Sequence, residues 1–141
     1  MFKTISVFLL RVGLGSLFFY AGITKVMNPD WSAAGYLANA KTFPSLYQWL
    51  ASAGNIGWVN FVNEWGLTLI GASLILGIFV RWSAFAGIII MLLYYFPILQ
   101  FPHVGDHSYI VDEHIIYSLV LLVFIAIKAG HSWGIDGLRS K

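Results

Sequence analysis

Cysteine is absent from the 141 residues, which removes disulfides, CxxC redox chemistry, thiolate metal sites and iron–sulfur ligation by this chain. Charge is scarce as well: Asp, Glu, Lys and Arg make up 10% of the chain, against about 25% in soluble domains. A water-soluble fold of this size would lack a polar coat. The net charge is only +2 and the basic residues are scattered rather than striped, which excludes nucleic acid as a partner. What fills the chain instead is apolar, with 59% hydrophobic and 17% aromatic residues. That composition predicts one membrane-embedded domain over residues 1–141. An apolar run after Lys3 has the start of a secretory signal, yet Arg11 interrupts it and no A-x-A pattern follows, so it is read as a retained span.

Four apolar runs, at about 4–25, 60–80, 82–101 and 109–129, predict an all-α integral membrane protein, a bundle of four transmembrane helices. Crossing the hydrocarbon takes about 20 residues. Three of the runs reach that length only by including charge: Arg11 in the first, Glu64 in the second, and Asp112, Glu113 and His114 in the fourth. An ionisable group inside a membrane costs about 2.5–3.5 kcal/mol on insertion scales, so such groups turn toward the protein interior and pair. Lys3, Arg81, Lys128, Arg139 and Lys141 fall at one end of the four-span arrangement and only Lys25 and Lys41 at the other. The excess of positive charge puts both termini on the cytoplasmic side of the cell membrane. The segment 26–59 is too long for a bare loop, and "WSAAGYLANA" and "PSLYQWLASAG" within it read as short amphipathic helices. They form either a lid on the outer face or an interfacial anchor in the headgroup layer. Val80, Arg81 and Trp82 are expected to make the turn between the second and third spans, and Pro97 and Pro102 to end or kink the third.

Helical spacing sorts the polar residues. Arg11, Gly15, Phe18, Gly22 and Lys25 share one side of the first span, and Glu64, Thr68 and Gly71 share one side of the second. Lys25 and Glu64 sit at similar depth and are expected to pair, either as a structural bridge or as a substrate contact. His114 lies one turn before Ser118 and is the best placed group to pass a proton, because its unperturbed pKa is near working pH. A regular helix would point Asp112 about 200° away from it, which makes Asp112 a first-turn acid favoured by the helix dipole. Arg11, deeper in the membrane, needs carbonyls, a carboxylate or a ligand's oxygens, or else snorkels to the headgroups. No metal site is expected: Gly105 spoils a helical His103–His107 pair and no H-E-x-x-H occurs. Haem is not expected either, since the histidines gather at the outer edge.

Several stretches resemble the DoxX/DoxD family: "LLRVGLGSLFFYAGITKVMNPDW", "WSAAGYLANA", "NEWGLTLIGASLILGIFVRWSAFAGI", and "YIVDEHIIYSLVLLV" followed by "AGHSWGID". The resemblance implies a four-helix membrane protein, and its namesake DoxD is the small membrane subunit of a thiosulfate:quinone oxidoreductase. It therefore implies a quinone as electron acceptor, lipid around the bundle, a second redox subunit, and a possible homo-oligomer. On that reading Glu64 and His114 handle protons as catalytic residues, while Arg11, Lys25, Tyr117 and Ser118 bind substrate or quinone. Reaction class does not transfer with fold. The alternative is a non-catalytic membrane anchor or assembly module for a redox partner.

Overall fold

The computed structural model describes residues 1–139, and Lys141, counted above among the basic residues of one end, lies outside them. Three helices are long and apolar enough to cross a membrane: α1 (Phe2–Val26), α4 (Ile56–Leu76) and α5 (Val80–Ile98). Between α1 and α4 run α2 (Ala34–Ala38) and α3 (Pro44–Ala51), on the two stretches that read as short helices. After α5 come the short strands β1 (Leu99–Gln100), β2 (His103–Val104) and β3 (Ser108–Tyr109), then α6 (Glu113–Ala126), a 3-10 turn Ala129–His131 and α7 (Ile135–Arg139). Large apolar side chains remain exposed around the bundle, among them Leu9, Leu17, Leu69, Ile89, Leu119 and Leu122. Such an outer coat suits lipid.

The core follows the spacing of the small residues. Arg11, Leu14, Gly15, Phe18 and Gly22 are the buried side of α1, and Leu67, Thr68, Ile70, Gly71 and Leu74 are buried on α4. A Cβ added at Gly15 would stand 2.9 Å from the Cβ of Leu74, and one at Gly71 would meet the backbone of Phe19. The two backbones touch where the glycines are, the contact that small residues permit between membrane helices. Phe18, Leu67, Leu121 and Phe124 continue this core across α1, α4 and α6. A second cluster of Ala33, Leu37, Ala40, Tyr47 and Val59 seats α2 and α3 against α4.

Three boundaries depart from the sequence expectation, and α5 ends beside Pro97 as expected. The turn between α4 and α5 is Gly77–Phe79 rather than Val80–Trp82, because Gly77 takes the left-handed conformation (φ 69°) that closes a helix. Arg81 and Trp82 therefore belong to the first turn of α5. Pro97 lies inside the last turn of α5; it has no N–H for the carbonyl four residues back, and the Tyr47 hydroxyl donates to that carbonyl, Leu93 O, at 3.0 Å. The outer turn is a three-stranded antiparallel meander in the order β1-β2-β3, where no strand was expected. Finally, α6 has 14 residues, about 21 Å of rise against about 30 Å of hydrocarbon. Its apolar run extends further in both directions, but Asp112 caps it at one end and Lys128, with φ 51°, turns the chain at the other.

Candidate functional site

At the end of the bundle away from the termini, Lys25, Trp31, Ser32, Ala33, Tyr36, Tyr94, Ile98 and His114 line a cavity of about 360 Å³. Four elements supply it: the last turn of α1, the α1–α2 connection with α2, the final turns of α5, and the first turn of α6. The segment 26–59 is bound down over it by polar contacts. The Asn60 side chain accepts from Ala33 N at 3.0 Å, Lys41 N donates to Pro97 O at 2.9 Å, and Thr42 Oγ1 donates to Leu99 O at 2.7 Å. The Tyr36 hydroxyl donates to the carbonyl of Tyr94, an acceptor in the last turn of α5. These bonds tie the segment to α4 and α5.

Lys25 reaches the cavity flanked by rings. Its Nζ lies 4.7 Å from the centroid of Trp31 and 5.2 Å from that of Tyr94, within cation–π range. It also donates to the Tyr94 hydroxyl at 3.1 Å, and that hydroxyl donates in turn to Oδ1 of Asn63. Glu64 lies close enough to act on Lys25 electrostatically, yet among the described residues the expected Lys25–Glu64 ion pair is not formed. Tyr94 and Asn63 take the place of the carboxylate.

His114 stands at the opposite wall, its ring edge-to-face with Tyr94 at 5.8 Å. Its Nδ1 is 2.6 Å from Oδ2 of Asp112, and the two side chains are 17% and 7% exposed. This pairing overturns the expected divergence of Asp112 and His114. Asp112 is not a helical residue but the N-cap, with extended backbone, and its other oxygen accepts from Ile115 N at 3.2 Å. Stepping out of the helix brings its carboxylate back over the first turn. An ionised carboxylate only accepts, which makes Nδ1 of His114 the donor of this bond.

The remaining sequence-derived residues lie elsewhere. Ser118 donates to the His114 carbonyl at 2.8 Å within α6, and Tyr117 packs edge-to-face on Phe18 at 5.9 Å; neither lines the cavity. Arg11 is fully buried at the other end of α1, about 20 Å along the helix from Lys25. Its guanidinium donates to Leu74 O and, at 3.2–3.3 Å, to Ile75 O, Ser132 O and Trp133 O. It thus binds the C-terminal end of α4, where a cation is favoured, to the segment after α6. Trp31, Tyr36, Asn63 and Tyr94 were not picked out from the sequence as site residues; the aromatic content around 26–59 was the available signal. Asp136 was missed too: its carboxylate accepts from Phe79 N at 2.9 Å and Val80 N at 3.0 Å, capping α5 from a distance in sequence of more than 50 residues.

The DoxX family model matches residues 6–98 of the 141. The chain belongs to the DoxX family. No curated protein and no solved structure matched it. The DoxX match spans α1 to α5 and so includes Lys25, Trp31, Tyr36, Asn63, Glu64 and Tyr94, while the Asp112–His114 pair comes from the part that follows. With three helices of spanning length and character, this DoxX chain is an integral membrane protein in contact with lipid.

Proposed function

We propose that the chain is the membrane subunit of a quinone-linked oxidoreductase, with the cavity between α1, α2, α5 and α6 as its quinone headgroup site. The observation that carries this reading is the combination on one cavity of a cation held between aromatic rings and a carboxylate-held histidine. A quinone ring is flat, apolar on its faces and carries two carbonyl oxygens that must be protonated when it is reduced. Trp31, Tyr36 and Tyr94 supply aromatic walls, Lys25 a donor for one oxygen, and the Asp112–His114 pair a proton for the other. Glu64 does not line the cavity but acts electrostatically on Lys25; it balances the charge of that wall and relays protons to it. A volume of about 360 Å³ lies within the usual span of small-ligand sites, about 300–1,000 Å³. Arg11, Tyr117 and Ser118 are left out of this site, since none of them lines it.

The chain has no redox group of its own, so the electrons come from a donor that reaches the quinone directly or through a second subunit. With thiosulfate as that donor, two thiosulfate ions join through a new S–S bond to tetrathionate and release two electrons; the quinone takes these up with two protons. In the membrane, α6 together with its flanking apolar residues Val111 and Ile127 completes a fourth crossing, α2 and α3 lie in the outer interface, and both termini are cytoplasmic. Exposed Trp49 and Trp58 and the gathering of Lys3, Arg81, Lys128 and Arg139 at the opposite end support that orientation.

The test is quinone reduction by membranes containing the chain and its co-purifying partners, with thiosulfate supplied. Replacing His114→Ala is expected to lower the rate by about 100-fold, the usual worth of a positioned proton donor, and Glu64→Gln to lower it less. Asp112→Asn keeps an N-cap while removing the charge that orients His114. An unchanged rate in folded His114→Ala would leave the chain as an anchor or assembly module for its partner.

A further inference from the structure

A second cavity, of about 540 Å³, opens at the other end of the bundle, between the start of α5, the end of α6 and the turn that follows. Its floor is apolar, formed by Val80, Phe124 and Ile125, and its rim carries Arg81, Lys128, His131 and Arg139. No carboxylate lies within ion-pair distance of Arg81, Lys128 or Arg139 among the described residues. The one acid on the wall, Asp136, is already occupied with the amides of Phe79 and Val80. Arg139 is held over the Phe79 ring at 5.1 Å, and Lys128 is brought to the rim by the left-handed turn that ends α6.

Three exposed cations against one carboxylate around a partly greasy hollow at a helix boundary leave a net positive rim that attracts an anion. We propose that this cavity binds a phosphate group, and that the phosphate is the headgroup of an anionic phospholipid whose acyl chains run down the adjoining faces of α5 and α6. The apolar floor favours that source over free phosphate: Ile125 lies one helical turn from the exposed Leu122 on α6, and Trp82 and Phe85 stand exposed on α5, a path for acyl chains, whereas a soluble ion would use the rim alone. Basic pockets between transmembrane helices hold lipid headgroups by the same combination of charge and hydrocarbon contact. The site lies at the far end of the bundle from the Lys25–His114 cavity and does not depend on what that cavity binds.

The full chain in nanodiscs of phosphatidylcholine, with and without phosphatidylglycerol or cardiolipin, tests this through lipid retention in native mass spectrometry and through Tm. Anionic lipid is expected to be retained and to raise Tm, with retention falling about fivefold for each of Arg81→Gln, Lys128→Gln and Arg139→Gln. Lys41→Gln, a charge loss at the opposite end, is expected to change neither. Millimolar inorganic phosphate added to phosphatidylcholine discs is expected to leave Tm unchanged; an equal rise with phosphate and none with anionic lipid would overturn the lipid source. If one of the three variants does not fold, the other two carry the measurement. Undiminished retention in all three would overturn the site.

Discussion

Arg11 satisfies four of its donors with carbonyl oxygens alone, two from α4 and two from the segment after α6. Charge-assisted bonds of this kind are worth about 1.5–3 kcal/mol each, and a methionine in the same volume would leave the α4 carbonyls without partners. Arg11→Met is expected to lower unfolding stability by at least about 2 kcal/mol, read as a drop in Tm by circular dichroism in detergent. Arg11→Lys is expected to fall close to it, since one ammonium cannot reach two pairs of carbonyls. Tyr36 gives a pH test outside the spans. Burial, with Tyr47 and Asp112 nearby, pushes its hydroxyl from about 10 up to about 12. Between those two values the unfolded chain has released the proton and the folded chain has not, so stability is intact below pH 10 and falls as the pH rises toward 12. The Tm of Tyr36→Phe should fall less over that window than that of the native chain.

At the scale of elements, the seam between α1 and α4 depends on glycine. Gly71 has no room for a Cβ against Phe19, while Gly13, on the same α1, faces open space. Gly71→Leu is expected to cost about 1–3 kcal/mol through overpacking and Gly13→Leu to be near neutral; thermal unfolding of the two side by side checks this. This seam was legible in the sequence, because the small residues recur at helical spacing on α1 and α4 and the hydrophobic runs set the helices between them. The ends of helices were harder. In 109–129 nothing apolar marks where helix stops, so Asp112 leaving the helix to cap it, and Lys128 turning back in the left-handed region, could not be seen in periodicity. The same misreading of Asp112 hid the hydrogen bond that makes His114 a pair. Lys25 and His114 were both placed at the correct end, but Tyr94, which lies between them, was lost among the aromatics of an apolar run.

For the whole molecule, the four crossings proposed above are tested by labelling from either side. Because it contains no cysteine, single substitutions such as Lys3→Cys, Lys41→Cys, His107→Cys and Lys128→Cys can be labelled in intact cells without background. Four crossings predict that positions 41 and 107 react from outside while 3 and 128 react only after permeabilisation. Labelling of 128 together with 107 would mean that α6 dips in without crossing. Composition alone placed the protein in a membrane and the resemblance named its family. The fourth crossing rests on 14 residues of helix with the apolar flanks Val111 and Ile127 at its ends.

The four acceptors of Arg11 impose an order on biogenesis. Synthesis runs from the N-terminus at about 5–20 residues per second, and the oxygens of Leu74 and Trp133 are 63 and 122 residues away. For roughly 3 to 13 seconds the leading helix carries a guanidinium with no mate, and for roughly 6 to 24 seconds it has at most the α4 pair. It must wait shallow, near water or phosphates, and can sink to its final depth only once the tail has been made.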